Sequence, residues 1–276
     1  MCERSYSSSP LPFMGQKRRF VRNFKEVLKQ FDDVDTIVDL FGGSGLLAHV
    51  AKRECPEKRV IYNDFDGFCG RLANVSVTNE ILRCLRPIMA SVPPNKRVPQ
   101  EQRDKILAII AEYEKKGCYV DYITLSASIL FSGKWVKTYQ ELTKQTMYNV
   151  MKMSDYEVDG YLDGLEVVHA DYREVFAAFP DRRKTLFLID PPYLSTEVGS
   201  YECYWKLGDY LDVLKLLVST RYIYFTSNKS QIVELCWWLN DNAASLGNPF
   251  KDAEIHKRYN NLNYNAGFTD MMLVKG

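Results

Sequence analysis

The stretch Thr185-Leu186-Phe187-Leu188-Ile189-Asp190-Pro191-Pro192-Tyr193 decides the fold. Its first five residues are a short apolar run that reads as a buried strand. The run ends abruptly in an acid, two prolines and a tyrosine. Neither proline can donate a backbone hydrogen bond, so the strand cannot continue as a central ladder member. Asp190 and Tyr193 are therefore expected just outside the carboxyl end of a strand. That is where open α/β sheets bind their ligands.

A second strand end lies far upstream. Thr36 to Phe41 reads as a strand and runs straight into Gly42-Gly43-Ser44-Gly45, after which Leu46 to Lys52 looks helical. Strand, glycine turn, helix is a nucleotide-type binding unit, because glycines let the backbone turn tightly and approach a ligand without a Cβ in the way. A plain tight turn would use the same residues. The next strand, Arg59 to Tyr62, ends in Asn63-Asp64. An acid about twenty residues after such a turn, at the end of the following strand, is where a ribose hydroxyl pair is held. Asp64 is the first candidate and Asp66 the competitor.

The rest of the chain falls around these two ends. Met14 to Phe31 carries apolar residues at helical spacing. Phe68 to Leu85 is expected to be helical. Pro87, Pro93, Pro94 and Pro99 then punctuate a polar link. Pro99 and Gly117 bracket a helix holding Ile106, Leu107, Ile110 and Tyr113. From Cys118 to Tyr161 the strand–helix rhythm is lost, and aromatic and basic residues interleave, among them Lys134, Trp135, Lys137 and Lys144. Such residues suit nucleic-acid contact, and equally suit a small subdomain's own core. The rhythm resumes with a strand from Leu165 to Ala170 that ends in Asp171, and a helix from Tyr172 to Phe179. A helix from Asp209 to Ser219 and a strand from Tyr222 to Thr226, ending in Ser227-Asn228, follow. A helix from Ile232 to Leu239 precedes two final strands, Glu254 to Tyr259 and Phe268 to Val274, joined by a polar link, Asn260 to Gly267. The expectation is an α/β fold: a doubly wound, Rossmann-like sheet made of residues 1–84 and 164–276, with 85–163 as an insertion.

Composition narrows the function classes. At 276 residues, 46% hydrophobic and 26% charged, the chain has ordinary globular usage. No apolar run approaches the ~20 residues of a membrane span, and Met1 to Pro10 lacks the apolar core of a secretory signal. The seven cysteines form no C-x-x-C pair and read as reduced, mostly buried thiols, which fits a cytoplasmic setting. Net charge is only +1, yet seven bases fall between Met1 and Gln30 and eleven between Ile81 and Val150. Segregated bases can form a face for phosphates even when the sum is near zero. Solvated helix faces would use them too. There is no G-x-x-x-x-G-K-[ST] and no G-x-S-x-G, and His49, His169 and His256 are far apart without ligand spacing. Phosphate-loop NTPase, serine-triad and zinc chemistry are unsupported.

What remains is a nucleoside-type turn beside an acid, a proline carbonyl and a tyrosine. An aromatic exocyclic amine is a poor nucleophile because its lone pair is delocalised into the ring. Two acceptors, the Asp190 carboxylate and the Pro191 carbonyl, would draw its N–H bonds toward a tetrahedral geometry and stabilise the developing positive charge. Tyr193 offers a face for a flipped base to stack on.

The motifs, in their order, resemble the DNA adenine-N6 methyltransferase family, the Dam-like members with a DPPY motif. They are Phe13-Met14-Gly15-Gln16-Lys17, Asp39-Leu40-Phe41-Gly42-Gly43-Ser44-Gly45, Asn63-Asp64, Asp171-Tyr172, Asp190-Pro191-Pro192-Tyr193 and Ser227-Asn228. The resemblance covers the chain apart from the insertion. It implies S-adenosylmethionine, with no metal, held by Phe13, Lys17, Asp39, Phe41, Gly43, Gly45, Asp64 and Asp190, with Asp171 near the adenine. It implies catalysis by Asp190, Pro191 and Tyr193 on double-stranded DNA, with target recognition in 85–163, where the interleaved Lys134, Trp135, Lys137 and Lys144 are the expected DNA contacts. A bacterial or phage-type cytoplasmic enzyme, monomeric and associated with nucleoid DNA, follows from the same resemblance. A cognate restriction endonuclease stays open as a partner. An RNA adenine or cytosine-N4 methyltransferase, and a nucleic-acid-binding module without turnover, are the competing readings.

Overall fold

A computed structural model describes residues 5–131, 133–192, 207–218, 220–228, 230–242, 247–263 and 266–276. Tyr193 lies outside them. The described chain forms two compact units. The first combines residues 1–8, 15–66 and 161–276; the second combines 9–14 and 67–160.

Seven strands of the described residues make one sheet in the first unit: β1 (Thr36–Asp39), β2 (Arg59–Asn63), β3 (Glu166–Val168), β4 (Thr185–Ile189), β5 (Arg221–Ser227), β6 (Glu254–Asn263) and β7 (Ala266–Lys275). Their order is β3-β2-β1-β4-β5-β7-β6. The first five run parallel, and β7 and β6 close the sheet as an antiparallel hairpin. Every residue of β4 is buried, which is why it reads as an unbroken apolar run and not as an alternation.

Both sheet faces are covered, as the parity of the strand residues shows. Val38, Phe187, Tyr222 and Tyr224 pack with α8 (Tyr172–Ala177), α9 (Leu207–Leu217) and α10 (Ile232–Asn242). Phe225, one residue out of phase with Tyr224, meets Phe20 and Phe24, with ring centroids 5.8 and 6.3 Å apart. Phe24 belongs to α1 (Val21–Leu28), which packs beside α2 (Leu46–Glu54).

The second unit is helical: α3 (Phe68–Ala73), α4 (Val75–Ala90), α5 (Gln100–Lys115), α6 (Tyr122–Ile129) and α7 (Tyr139–Leu142). It begins earlier in the chain than the point at which the strand–helix rhythm breaks. Its centre holds a buried pair, Arg71 Nε to Asp121 Oδ2 at 3.0 Å. Asp121 also caps α6 through the Thr124 amide, and the Arg71 guanidinium donates to the Pro12 carbonyl at 2.8 Å.

Four expectations change. The helix expected from Met14 begins only at a 3₁₀ turn, Arg18–Phe20. The helix expected over 68–85 breaks at Asn74, and its second part runs through Pro87 to Ala90. Pro87 removes one helical donor; burial of Leu85 and Met89 on either side outweighs that loss. The polar link 260–267 is mostly paired strand, with Asn260 opposite Phe268 and Asn261 opposite Gly267. Asn260 is buried because its amide donates to Asp270 Oδ2 at 2.6 Å and its oxygen accepts from Arg19. Of the described cysteines, Cys55 and Cys236 are buried and Cys84 is exposed, so the thiols are mixed, not mostly buried. No helix of the described residues is long and apolar enough to cross a membrane.

Candidate active site

The sheet order sets the site. β1 is flanked by β2 on one side and β4 on the other. The chain leaving β1 crosses to β2, whereas β4 begins the other half, so the β1/β4 boundary is the point where a doubly wound sheet opens a crevice at its carboxyl end. Asp39 pairs with Leu188 in register, and the Leu40 amide donates to the Leu188 carbonyl at 3.1 Å. The glycine turn and Asp190 therefore emerge side by side.

The turn is tightly built. The Gly45 amide donates to the Gly42 carbonyl at 2.7 Å. Gly43 and Gly45 take φ of 50° and 71°, the left-handed region that a Cβ disfavours. A Cβ on Gly42 would stand 2.3 Å from the Tyr62 ring and 2.8 Å from the Asn63 carbonyl. The turn is buttressed from its far side: Tyr161 Oη donates to the Ser44 carbonyl at 2.9 Å, and His49 Nδ1 meets the Tyr161 carbonyl at 2.6 Å. The Tyr6 amide donates to His49 Nε2, so Nδ1 carries the proton.

Three titratable side chains meet at the β1/β4 boundary. Lys17 Nζ lies 2.5 Å from Asp190 Oδ2, with the two side chains 8% and 18% exposed. Lys17 also donates to the Gly15 carbonyl at 2.8 Å, which fixes its head. Burial pushes the Asp190 carboxyl up and Lys17 pulls it back. Asp39 is 1% exposed. Neither of its carboxylate oxygens has a hydrogen-bond partner among the described residues. Burial first, and then the Asp190 charge, push its pKa up to about 8. The amides of Ala48 and Phe41 oppose the shift without reaching hydrogen-bond geometry. The two acids thus divide: Asp190 is paired with the ammonium, and Asp39 holds a proton.

This division has a pH signature. Folded Asp39 keeps its proton through neutral pH, while an unfolded aspartate has lost it above about pH 4. The stability that the bound proton contributes is complete below about pH 4 and is lost as pH rises toward the folded pKa of about 8. Asp39→Asn is expected to flatten the fall in melting temperature between pH 5 and pH 8.5. An equal fall in variant and parent would remove Asp39 as its source.

Asp64 follows β2 and is 5% exposed. Its amide donates to the Val168 carbonyl at 2.8 Å, and Tyr62 Oη donates to its Oδ1 at 3.0 Å. The same Tyr62 hydroxyl lies 2.8 Å from the Gly43 carbonyl, so one tyrosine ties the turn to the acid. Asn63 clamps three strand ends: its amide donates to the Leu40 and Ala170 carbonyls, each at 3.0 Å, and its oxygen accepts from the Ala170 amide. These supporting roles were not legible in the sequence, where Tyr62 reads only as a strand residue.

The remaining candidates divide. Asp171 caps α8, accepting from the Arg173 amide at 2.8 Å. Phe41 packs on Tyr172, with centroids 5.0 Å apart. Phe13 belongs to the second unit, where it meets Phe68 edge-on at 5.7 Å. Pro191 follows Asp190 directly, and the Pro192 carbonyl accepts from Tyr210 Oη. Asn228 exchanges hydrogen bonds with Thr269 at the end of β5. In the second unit Lys134, Lys137 and Lys144 are exposed and Trp135 is half-buried. Among the described residues no group of His, Cys, Asp and Glu has the arrangement of a metal site.

Two comparisons bear on this arrangement. The chain is 37% identical over 267 residues to a protein of Haemophilus influenzae (strain ATCC 51907 / DSM 11121 / KW20 / Rd) that is provisionally named a methyltransferase, an alignment covering 93% of this chain and 87% of that protein. The family model for D12 class N6 adenine-specific DNA methyltransferases matches residues 13–261, which takes in every motif from Phe13 to Asn228. The chain belongs to the D12 class N6 adenine-specific DNA methyltransferase family.

Proposed function

We propose that this methyltransferase moves a methyl group from S-adenosylmethionine to N6 of an adenine turned out of double-stranded DNA, at a defined sequence. One observation carries the reading. The carboxylate of Asp190, held by Lys17 at 2.5 Å, leaves the sheet beside the glycine turn, at the β1/β4 boundary.

The residues fit a nucleoside-bearing cofactor. Gly43 and Gly45 keep the backbone turn open to a close ligand. Asp64 ends the next strand with one carboxylate oxygen oriented by Tyr62, in reach of a ribose hydroxyl pair. The cofactor, when bound, supplies an electrophilic methyl group. Asp64→Ala is expected to weaken cofactor binding about tenfold or more, as loss of hydrogen bonds to a charged acceptor does. Unchanged affinity by calorimetry, with an unchanged thermal melt, would remove Asp64 from that role.

The chain's own residues then handle the amine. Lys17 engages Oδ2 of Asp190 and opposes the burial that raises its carboxyl, leaving Oδ1 to accept one N–H. The Pro191 carbonyl accepts the other. Both acceptors face charge that grows on nitrogen as the new bond forms, which is where preorganised dipoles lower a barrier. Tyr193 stacks on the displaced base, worth ~1–3 kcal/mol. Residues of the second unit read the target sequence, with Lys134, Trp135, Lys137 and Lys144 touching DNA. The test is transfer of labelled methyl to unmodified duplex, followed by nucleoside chromatography. Label in N6-methyladenosine supports the proposal; label in cytosine, or none, overturns it.

A further inference from the structure

The second unit holds a cavity of about 480 Å³ lined by Arg97, Val98, Pro99, Gln100, Arg103, Lys144, Gln145, Thr146 and Met147. Three of these are cationic and none is acidic. Backbone pairing frames the pocket: Arg97 bridges Tyr148, the Val98 amide donates to the Met147 carbonyl at 2.9 Å, and the Asn95 amide donates to the Asn149 carbonyl at 2.7 Å. Val98 and Met147 are buried, at 3% and 0% exposure, so the floor is packed and not free to collapse.

The cations differ in how they are held. Arg103 is oriented by the chain: its guanidinium donates to the Thr143 carbonyl, and its Nε to the Gln145 carbonyl at 3.4 Å. Its NH1 is left 3.8 Å from Asp104, too far for a hydrogen bond. Arg97 and Lys144 are exposed and form no ion pair among the described residues. Acids on the adjoining helical turn are already engaged, Glu101 by Lys105 at 2.6 Å and Asp104 by Gln100 Nε2 at 2.8 Å. Gln100 begins α5, whose N-cap, Pro99, offers no side-chain hydrogen bond. The amide of Gln100 therefore adds the positive end of a sixteen-residue helix to the same pocket.

We infer that Arg97, Arg103 and Lys144 form a preformed seat for a backbone phosphate of the DNA substrate, with Arg103 fixed as the base of the seat and Arg97 and Lys144 as its movable clamps. The seat rests on the reading of DNA as substrate and adds to it a site that positions the duplex without reading bases. Neither clamp's side chain makes a hydrogen bond or ion pair among the described residues, so both can be removed without unfolding the unit.

Arg97→Ala with Lys144→Ala, in the full chain, tests it. Duplex affinity is measured by fluorescence anisotropy across a salt series, with Lys105→Ala as a variant of equal charge loss per residue on the outer side of the same helix. At about 150 mM salt the double variant is expected to bind about tenfold more weakly, and the slope of log affinity against log salt to fall by about one to two. KM for DNA rises correspondingly, while kcat at saturating DNA and cofactor affinity stay put. Lys105→Ala leaves the slope within about 0.3 of the parent. An unchanged slope in the double variant, or an equal fall in Lys105→Ala, overturns the seat. Loss of inorganic phosphate binding with duplex affinity unchanged also overturns it, since the pocket would then serve a free phosphate. Methyl transfer to duplex by the parent separates the two levels: transfer with an unaffected double variant removes only the seat, and absence of transfer removes the function beneath it.

Discussion

Asp190→Asn is expected to lower the rate of methyl transfer at saturating substrates by about 10²–10³-fold while cofactor affinity changes less than about tenfold. The amide is nearly isosteric, so the strand end should keep its shape. It replaces one carboxylate oxygen by a donor and removes the negative charge that faces the amine. Oδ2 is already engaged by Lys17, so the remaining oxygen is the acceptor at stake. Single-turnover transfer with labelled cofactor reads the chemical step, and calorimetry reads the cofactor. Near-parental transfer would show that Asp190 does not accept from the amine.

Lys17→Met should have the second-largest effect, and on two readouts. Removing one partner of a buried pair costs about 3–5 kcal/mol, because the other charge is left uncompensated. Lys17 is also the counterweight to the burial that raises the Asp190 carboxyl. Without it the folded Asp190 pKa rises further, which disfavours the ionised acceptor. Activity is therefore expected to fall most at low pH and to recover as pH increases, with the rising limb of the profile displaced upward. A uniform loss at every pH would mean that Lys17 acts only through stability.

The parts of the fold that were legible in the sequence are those where one physical constraint dominates. β4 is buried throughout and bounded by prolines, so apolar run and punctuation agreed. Pro99 and Gly117 enclose α5 because fixed φ suits a helix start and a left-handed residue, here φ 74°, suits its end. The C-terminal hairpin was legible only in part. Its asparagines are polar by type, but Asn260 is satisfied within the sheet by Arg19 and Asp270, partners 241 and 10 residues away. No local pattern carries that information. The same holds at the site. The glycine turn, Asp64 and Asp190 announced themselves at strand ends. The clustering of Lys17, Asp190 and Asp39 depends on the register of β1 with β4, a pairing of distant segments. Tyr62 looks, in sequence, like an ordinary strand residue, and the Asn63-Asp64 motif gives no sign that the Asn63 amide clamps neighbouring strand ends.

The acid leaving β4 is expected to receive an adenine from DNA at a defined sequence. The most direct measurement is to express the chain in a host lacking adenine methylation and to read modified positions across that host's genome by single-molecule sequencing. The expected result is N6-methyladenine confined to one short motif and absent with Asp190→Asn. A genome without modified adenine, or one modified at cytosine, would contradict it.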